Sequence, residues 1–315
     1  MPISIEASNL IKRYPSQSKG SLPALDSVNL QVQSGHLYGL VGPDGAGKTT
    51  LLRILSTVLL PTSGSACLSG FDVIKQPEQV RARLGYMPQA YSLYPDLSVL
   101  ENLRFFANIN GVPREKQKER IAELLEFARL TDFSSRRSEN LSGGMRKKLA
   151  LACALVHQPE ILLLDEPTTG VDPVSRRELW QLLASLIEGG VTILVSTPYM
   201  DEAERCNLVS MIYQGRILIT GSPAELERQM PFKLIEVKAK PRGTLRQVAD
   251  NATGVLKWRA VGDRLRLSVS NPAKTQADLK SKLKKAGAEV TILREARIMM
   301  EDVFIYLVEQ QEKPK

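Results

Sequence analysis

The sequence predicts an α/β chain: a large domain with a mainly parallel core sheet, antiparallel edge strands and an α-helical insert, then a smaller α+β domain. Three observations carry this expectation. An apolar run, Leu37 to Val41 (LYGLV), leads into a glycine-rich turn and a helical pattern, a strand-loop-helix order. Two more continuous apolar runs, Ile161 to Leu164 and Val191 to Val195, read as parallel strands buried on both faces. Charge shifts abruptly near residue 230: residues 1–230 carry 24 Lys+Arg against 24 Asp+Glu, while 231–315 carry 18 against 10, so the whole net charge of +8 lies in the tail. That shift sets the expected division, 1–230 and 231–315, with the helical insert at about 90–140.

Bulk composition excludes several classes. Hydrophobic residues at 43% and charged residues at 24% fit a globular chain rather than a disordered one. The apolar runs fall far short of the ~20 residues of a membrane span. The opening MPISIEASNL has no charged segment followed by an apolar one, so no secretory signal is expected and the cytosol is the expected compartment. Cys67, Cys153 and Cys206 are odd in number and widely spaced, which reads as reduced thiols and offers no zinc spacing.

In chain order, ISIEASNLIKRY alternates as an edge strand would, and Val28 to Val32 alternates again. Tyr14 between them is either a loop tyrosine or an aromatic that stacks on a purine ring. The segment Gly42, Pro43, Asp44, Gly45, Ala46, Gly47, Lys48, Thr49 and Thr50 then fits G-x-x-x-x-G-K-[ST]. Glycines let such a backbone curl so that successive amides point at a triphosphate, and the helix that follows presents its positive end to the same anion. Lys48 would reach the β- and γ-phosphates, and Thr49 would offer its hydroxyl to Mg²⁺.

Pro61 to Gly64 breaks the helix, a strand-like SACLSGFDV follows, and EQVRARLG leads to Gln89, which would contact Mg²⁺ or the attacking water. From Leu100 to Leu130 apolar residues recur at three-and-four spacing, which gives the helical insert. Leu141 to Met145 (LSGGM) opens another helix. Ser142 there is an N-cap, or, with Gly143 and Gly144 exposing amides, part of a second phosphate site; since the chain's own loop already holds a triphosphate, the ligand would belong to another subunit. ILLLDE ends a buried strand on two carboxylates, of which Asp165 would bind Mg²⁺ and Glu166 would polarise the water that attacks the γ-phosphate.

Taken together, these motifs resemble the ATP-binding cassette (ABC) family of transporter ATPases. Tyr14 falls where that family has its adenine-stacking aromatic, GPDGAGKT is similar to its first nucleotide motif, and Gln89 to its Q-loop residue. LSGGM matches the family signature, ILLLDE the second nucleotide motif, and Thr169 to Asp172 (TGVD) the D-loop. The resemblance covers about residues 3–228. It implies a P-loop fold, ATP and Mg²⁺ as ligands, and a head-to-tail homo- or heterodimer in which Ser142 and Gly144 of one subunit close on the other's nucleotide.

One position departs from the pattern. After Ser196-Thr197 the family has a histidine that contacts the γ-phosphate and aligns the catalytic glutamate; here stands Pro198, which has neither a side-chain donor nor a backbone N–H. His36 and His157 are not placed by the motifs to replace it. Either turnover is left to a partner cassette, or Glu166 with Thr197 or Tyr199 suffices; a slow but real ATPase is the expectation.

The tail alternates strand and helix from Phe232, and resembles the accessory domain of some drug-exporter cassettes without a specific motif. The resemblance therefore implies an ATPase subunit on the cytoplasmic face of the membrane, powering an exporter whose permease is a separate chain docking near Gln89 and the helical insert. The alternative is a soluble ABC ATPase acting on ribosomes or nucleic acid through the basic tail. A single phosphate loop, and the short stretch between Gln89 and Leu141, disfavour that alternative.

Overall fold

The structure is a computed structural model describing residues 2–15, 22–90 and 92–312. The chain divides into two compact units, Met1–Pro223 and Ala224–Lys315.

The first unit opens with β1 (Ile3–Lys12) and β2 (Leu25–Gln33), which pair antiparallel. Along β2, Val28, Leu30 and Val32 are buried and their neighbours exposed, the period-2 signature of a half-buried strand. The chain then enters β3 (Leu37–Val41), every residue of which is buried, and α1 (Lys48–Leu55). Next come β4 (Ser63–Leu68) and β5 (Phe71–Asp72). Ser69 and Gly70, both at positive φ, join these two as a tight hairpin demands.

β1 lies between β2 and β4 in a separate four-stranded antiparallel sheet, so it is an inner strand and not the edge strand expected from its alternation. Alternation reports one buried face; it does not report how many neighbours flank the strand.

α2 (Pro77–Arg81) leads to β6 (Leu84–Met87). The helical insert follows as α3 (Val99–Ile109) and α4 (Arg114–Phe127). Ser98 and Glu101 start α3 with a reciprocal capping box, and α4 buries Ile121, Leu124 and Leu125 while its charges face outward. α5 (Gly143–Ala154), β7 (Ile161–Asp165), α6 (Pro173–Glu188), β8 (Thr192–Thr197), α7 (Met200–Ala203), β9 (Leu208–Tyr213) and β10 (Arg216–Gly221) complete the unit.

The core sheet has six strands in the order β10-β9-β3-β8-β7-β6, parallel except for β10. In register, Val41 faces Thr197, Asp165 faces Ser196 and Met87 faces Leu164, so β3, β8, β7 and β6 end together. The loops carrying Gly42, Glu166, Pro198 and Gln89 thus leave one edge of one sheet, where parallel sheets bind ligands. β3, and β7 as far as Leu164, can be continuously hydrophobic because every residue in them is buried.

In the second unit, α8 (Pro223–Arg228) precedes β11 (Lys233–Lys240), α9 (Arg242–Asp250), β12 (Val255–Val261), β13 (Arg264–Val269), α10 (Pro272–Lys285), β14 (Glu289–Ala296) and α11 (Met300–Glu312). The strands form an antiparallel sheet, β12-β13-β11-β14. Ile235, Val237, Leu265 and Leu267 build its core with Leu245 of α9 and Leu279 and Leu283 of α10. Arg266, between Leu265 and Leu267, points to the opposite face and bonds Asp302 of α11 at 3.0 Å.

Candidate functional site

The glycine-rich loop is shaped by close backbone approach. A Cβ on Gly42 would lie 2.2 Å from the Ile212 carbonyl oxygen. Gly47 has φ +108°, and a Cβ there would lie 2.5 Å from the Ala24 carbonyl oxygen. Only glycine fits either position. Gly47 then opens α1, so the free amides of its first turn face the cleft.

That cleft has a volume of about 300 Å³ and is lined by Asp44, Gly45, Gly47, Lys48, Thr49 and Thr50, with Ala24, Gln89 and Glu166. The Lys48 Nζ donates to the carbonyls of Gly42 (2.8 Å) and Pro43 (3.0 Å) and lies 3.1 Å from Glu166 Oε1. The Gln89 amide donates to Glu166 Oε2 at 2.9 Å, and the Thr169 hydroxyl to the same oxygen at 3.3 Å. Thr49 donates to Asp165 Oδ1 at 3.1 Å. Residues expected from four separate motifs therefore share one network.

Glu166 has φ +50°, a left-handed conformation that costs a non-glycine residue about 1–3 kcal/mol. It is held there by Ser196, whose hydroxyl and carbonyl accept the Glu166 amide at 3.0 and 3.2 Å. The same hydroxyl donates to Asp165 Oδ1 at 2.7 Å.

Asp165 Oδ2 is buried without a hydrogen-bond partner. Burial raises the Asp165 pKa, opposed by the Ser196 and Thr49 hydroxyls and reinforced by the Glu166 charge. An orphaned carboxylate oxygen beside a threonine hydroxyl is the donor chemistry a Mg²⁺ ion takes, so the residues fit that ion. Behind the carboxylates, burial depresses the pKa of Lys147 against the opposing pull of Glu166 and Asp165, and its Nζ lies 3.5 Å from the Glu166 carbonyl.

Other expected residues lie around this centre. The Tyr14 hydroxyl is 3.3 Å from Thr50 Oγ1, at the end of the loop. Ser142 caps α5 by accepting the Met145 amide at 3.2 Å, and it is exposed and absent from the cleft lining. Gly143 and Gly144 begin the same helix, and a Cβ on Gly144 would lie 2.3 Å from the Ser175 hydroxyl. Asp172 caps α6 through the amides of Val174 and Ser175.

Thr197 and Tyr199 do not reach Glu166 through their side chains. Thr197 donates to Glu202 at 2.6 Å, and the Tyr199 ring lies under the Arg176 guanidinium at 4.3 Å. The hydroxyl that holds the Glu166 amide is that of Ser196, a residue no sequence motif singles out. His36 pairs with the Ser34 carbonyl and His157 with the Leu84 carbonyl, neither of them in the network. A larger cavity of about 640 Å³ lies in the second unit beside α11, and no residue of the nucleotide motifs lines it.

Comparison with known proteins gives a concordant picture. Residues 25–169 match the ABC transporter domain family. The chain is 49% identical over 226 residues to the probable multidrug ABC transporter ATP-binding protein YbhF of Escherichia coli K12, covering 72% of this chain and 39% of that protein. It is 40% identical over 290 residues to the Nod factor export ATP-binding protein I of Cupriavidus metallidurans CH34, covering 91% and 93%. The chain thus spans well under half of the first relative and nearly all of the second.

Among solved structures, the dimeric post-hydrolysis cassette MJ0796 bound to ADP and Pi superposes with a TM-score of 0.63 at 27% identity, covering 69% of this chain and 98% of that one. With the P-loop, the signature segment and the paired carboxylates on one α/β scaffold, the chain belongs to the ABC transporter family as one of its ATP-binding proteins, an ABC ATPase.

Proposed function

We propose that this chain binds and hydrolyses ATP to energise an ABC-type membrane exporter whose permease is a separate polypeptide. The observation that carries this reading is the single network joining Lys48, Gln89, Thr49, Asp165 and Glu166 at the carboxyl edge of the core sheet. Relatives named for multidrug transport and Nod factor export favour the export direction. Among the described residues no helix is long and apolar enough to cross a membrane.

In this reading the loop Gly42–Thr50 cradles the phosphates with the amides of Asp44, Gly45, Gly47, Lys48, Thr49 and Thr50, while the Gly42 amide is held by the Thr197 carbonyl and the Ala46 amide by that of Pro43, and Lys48 neutralises the β- and γ-oxygens. Tyr14 packs on the adenine. Mg²⁺ held by Thr49, Gln89 and Asp165 would offset charge on the phosphate oxygens. Glu166 takes the proton of the attacking water, for which it must first release Lys48. Ser142, Gly143 and Gly144 meet the nucleotide of a second cassette. ATP-driven closure moves the helical insert and with it the permease, on the cytoplasmic face of the membrane.

The nucleic-acid alternative rests on the basic tail. Several of its arginines are engaged within the second unit, which leaves fewer of them free for phosphates without removing the positive excess: Arg264 and Arg294 share Glu236, Arg259 and Arg266 share Asp302, and Arg297 pairs with Glu227. Co-purification separates the two readings: recovery of a permease in detergent extracts supports export, and salt-sensitive RNA or DNA binding supports the alternative. Steady-state turnover of the purified chain tests hydrolysis, and no affinity for adenine nucleotides in the presence of its permease would overturn the proposal.

A further inference from the structure

We propose that Glu202 is a positioning residue for ATP hydrolysis, holding the end of β8 and the loop after Glu166 in fixed relation from behind the cleft. The proposal rests on the reading above, in which Glu166 activates water. Glu202 is 1% exposed and does not line the cleft. Its Oε2 accepts the hydroxyls of Thr197 at 2.6 Å and Thr168 at 3.0 Å. Its Oε1 accepts the Trp180 indole N–H at 3.2 Å, with the Arg176 Nε at 3.6 Å. A buried carboxylate so fully engaged has no capacity left for a ligand; what it does is tie segments together.

The segments it ties are those that shape the site. Thr168 is two residues beyond Glu166, whose left-handed backbone survives only where its surroundings over-determine it. Thr197 ends β8, where its carbonyl accepts the amide of Gly42 at 3.3 Å and its hydroxyl accepts the amide of Tyr199 at 3.1 Å. Glu202 thus reaches the first residue of the phosphate loop through Thr197 and, through Thr168, the backbone two residues beyond Glu166. Between Thr197 and Glu202 stands Pro198, which offers no donor to Glu166. The Glu166 carboxylate is held by Lys48, Gln89 and Thr169, and its backbone is positioned from behind, by Ser196 directly and by Glu202 at one remove.

The test is steady-state kinetics with parallel measurement of ATP affinity. Glu202→Gln keeps the shape of the side chain but turns one acceptor oxygen into a donor, against the hydroxyls and the indole. We expect kcat to fall about tenfold with the Kd for ATP unchanged, the signature of lost transition-state alignment rather than lost binding. Combining it with Pro198→His supplies a reading that a merely structural role would not move. Where Glu202 compensates for the absent histidine, Pro198→His raises kcat by a larger factor in the Glu202→Gln background than in the parent.

Equal factors in the two backgrounds, or a loss of ATP affinity with kcat intact, would overturn the proposal. If Glu202→Gln does not fold, Thr197→Val removes a single donor, and a parental kcat in that variant overturns it as well. A parent chain without turnover removes the hydrolysis reading and this one with it. A parent that turns over beside an indifferent Glu202→Gln removes this one alone.

Discussion

The ammonium of Lys48 lies 3.1 Å from a carboxylate oxygen of Glu166, with the two side chains only 3% and 5% exposed. A triphosphate entering the loop must therefore compete with Glu166 for Lys48, and winning that competition frees the carboxylate for water. In the proposed reading, nucleotide arrival and base activation would be coupled through this one ion pair.

Two substitutions separate the halves of this pair. Lys48→Ala leaves Glu166 buried without its cation, and breaking a buried pair from one side costs about 3–5 kcal/mol. Denaturant unfolding should show that loss together with loss of ATP binding. Glu166→Gln removes the competitor, so ATP affinity is kept or improved while turnover falls about 10²–10⁴-fold, the usual contribution of a general base. Unchanged turnover in Glu166→Gln would reassign the base.

In the proposed reading, Pro198 would be the second place where rate is set. With no donor there, the γ-phosphate lacks one hydrogen bond, and one bond of about 1.4 kcal/mol in the transition state corresponds to a factor of ten. Pro198→His should raise steady-state turnover by about that factor without changing ATP affinity. A fast parent enzyme indifferent to the histidine would show that alignment is already complete.

The parts of this site legible in the sequence are those whose chemistry dictates residue type. Gly42 and Gly47 are required by backbone contacts of 2.2 and 2.5 Å, and the apolar runs ending at Asp165 and Thr197 by burial on both faces. What stayed hidden depends on contacts distant in sequence. Glu202 draws on Thr168, 34 positions away, and Trp180, 22 away, and an acid in a polar stretch carries no local mark of burial. Ser196 looks like any strand residue until β7 is laid beside β8 and its hydroxyl falls opposite Asp165. Alternation alone suggests an edge position for β1 because the partner on its far side, β4, arrives only after the phosphate loop and its helix.

Asp165 sets a pH dependence. Burial raises its pKa in the folded chain, so the protonated form is the one the fold favours. The sign follows: its contribution to stability is present at acid pH and is lost as pH rises through the folded pKa. Metal binding runs the other way, since only the ionised carboxylate holds Mg²⁺. Stabilisation of the nucleotide complex by Mg²⁺, read as a shift in Tm, should be full at alkaline pH and decline as pH falls, beginning above the range in which an ordinary aspartate titrates. Asp165→Asn should abolish both the shift and its pH dependence, and a pH-independent shift in the parent would place the metal elsewhere.

The glycines of the loop should be unequal in a way the sequence pattern does not show. Gly45 has φ +77° with open space around it, so Gly45→Ala meets only backbone strain, about 1–2 kcal/mol. Gly42→Ala drives a Cβ to 2.2 Å from the Ile212 carbonyl, a backbone atom of β9 that cannot rotate aside. Gly47→Ala combines φ +108° with a 2.5 Å approach to the Ala24 carbonyl. Each of the latter two must displace the loop from the core sheet or from β2, spreading the amides that would face the phosphates. Unfolding midpoints and ATP titrations of the three variants should therefore rank Gly45→Ala well above the others in both stability and affinity. A Gly42→Ala variant that binds ATP like the parent would mean that β9 yields, and that this loop is less rigidly seated than its contacts require.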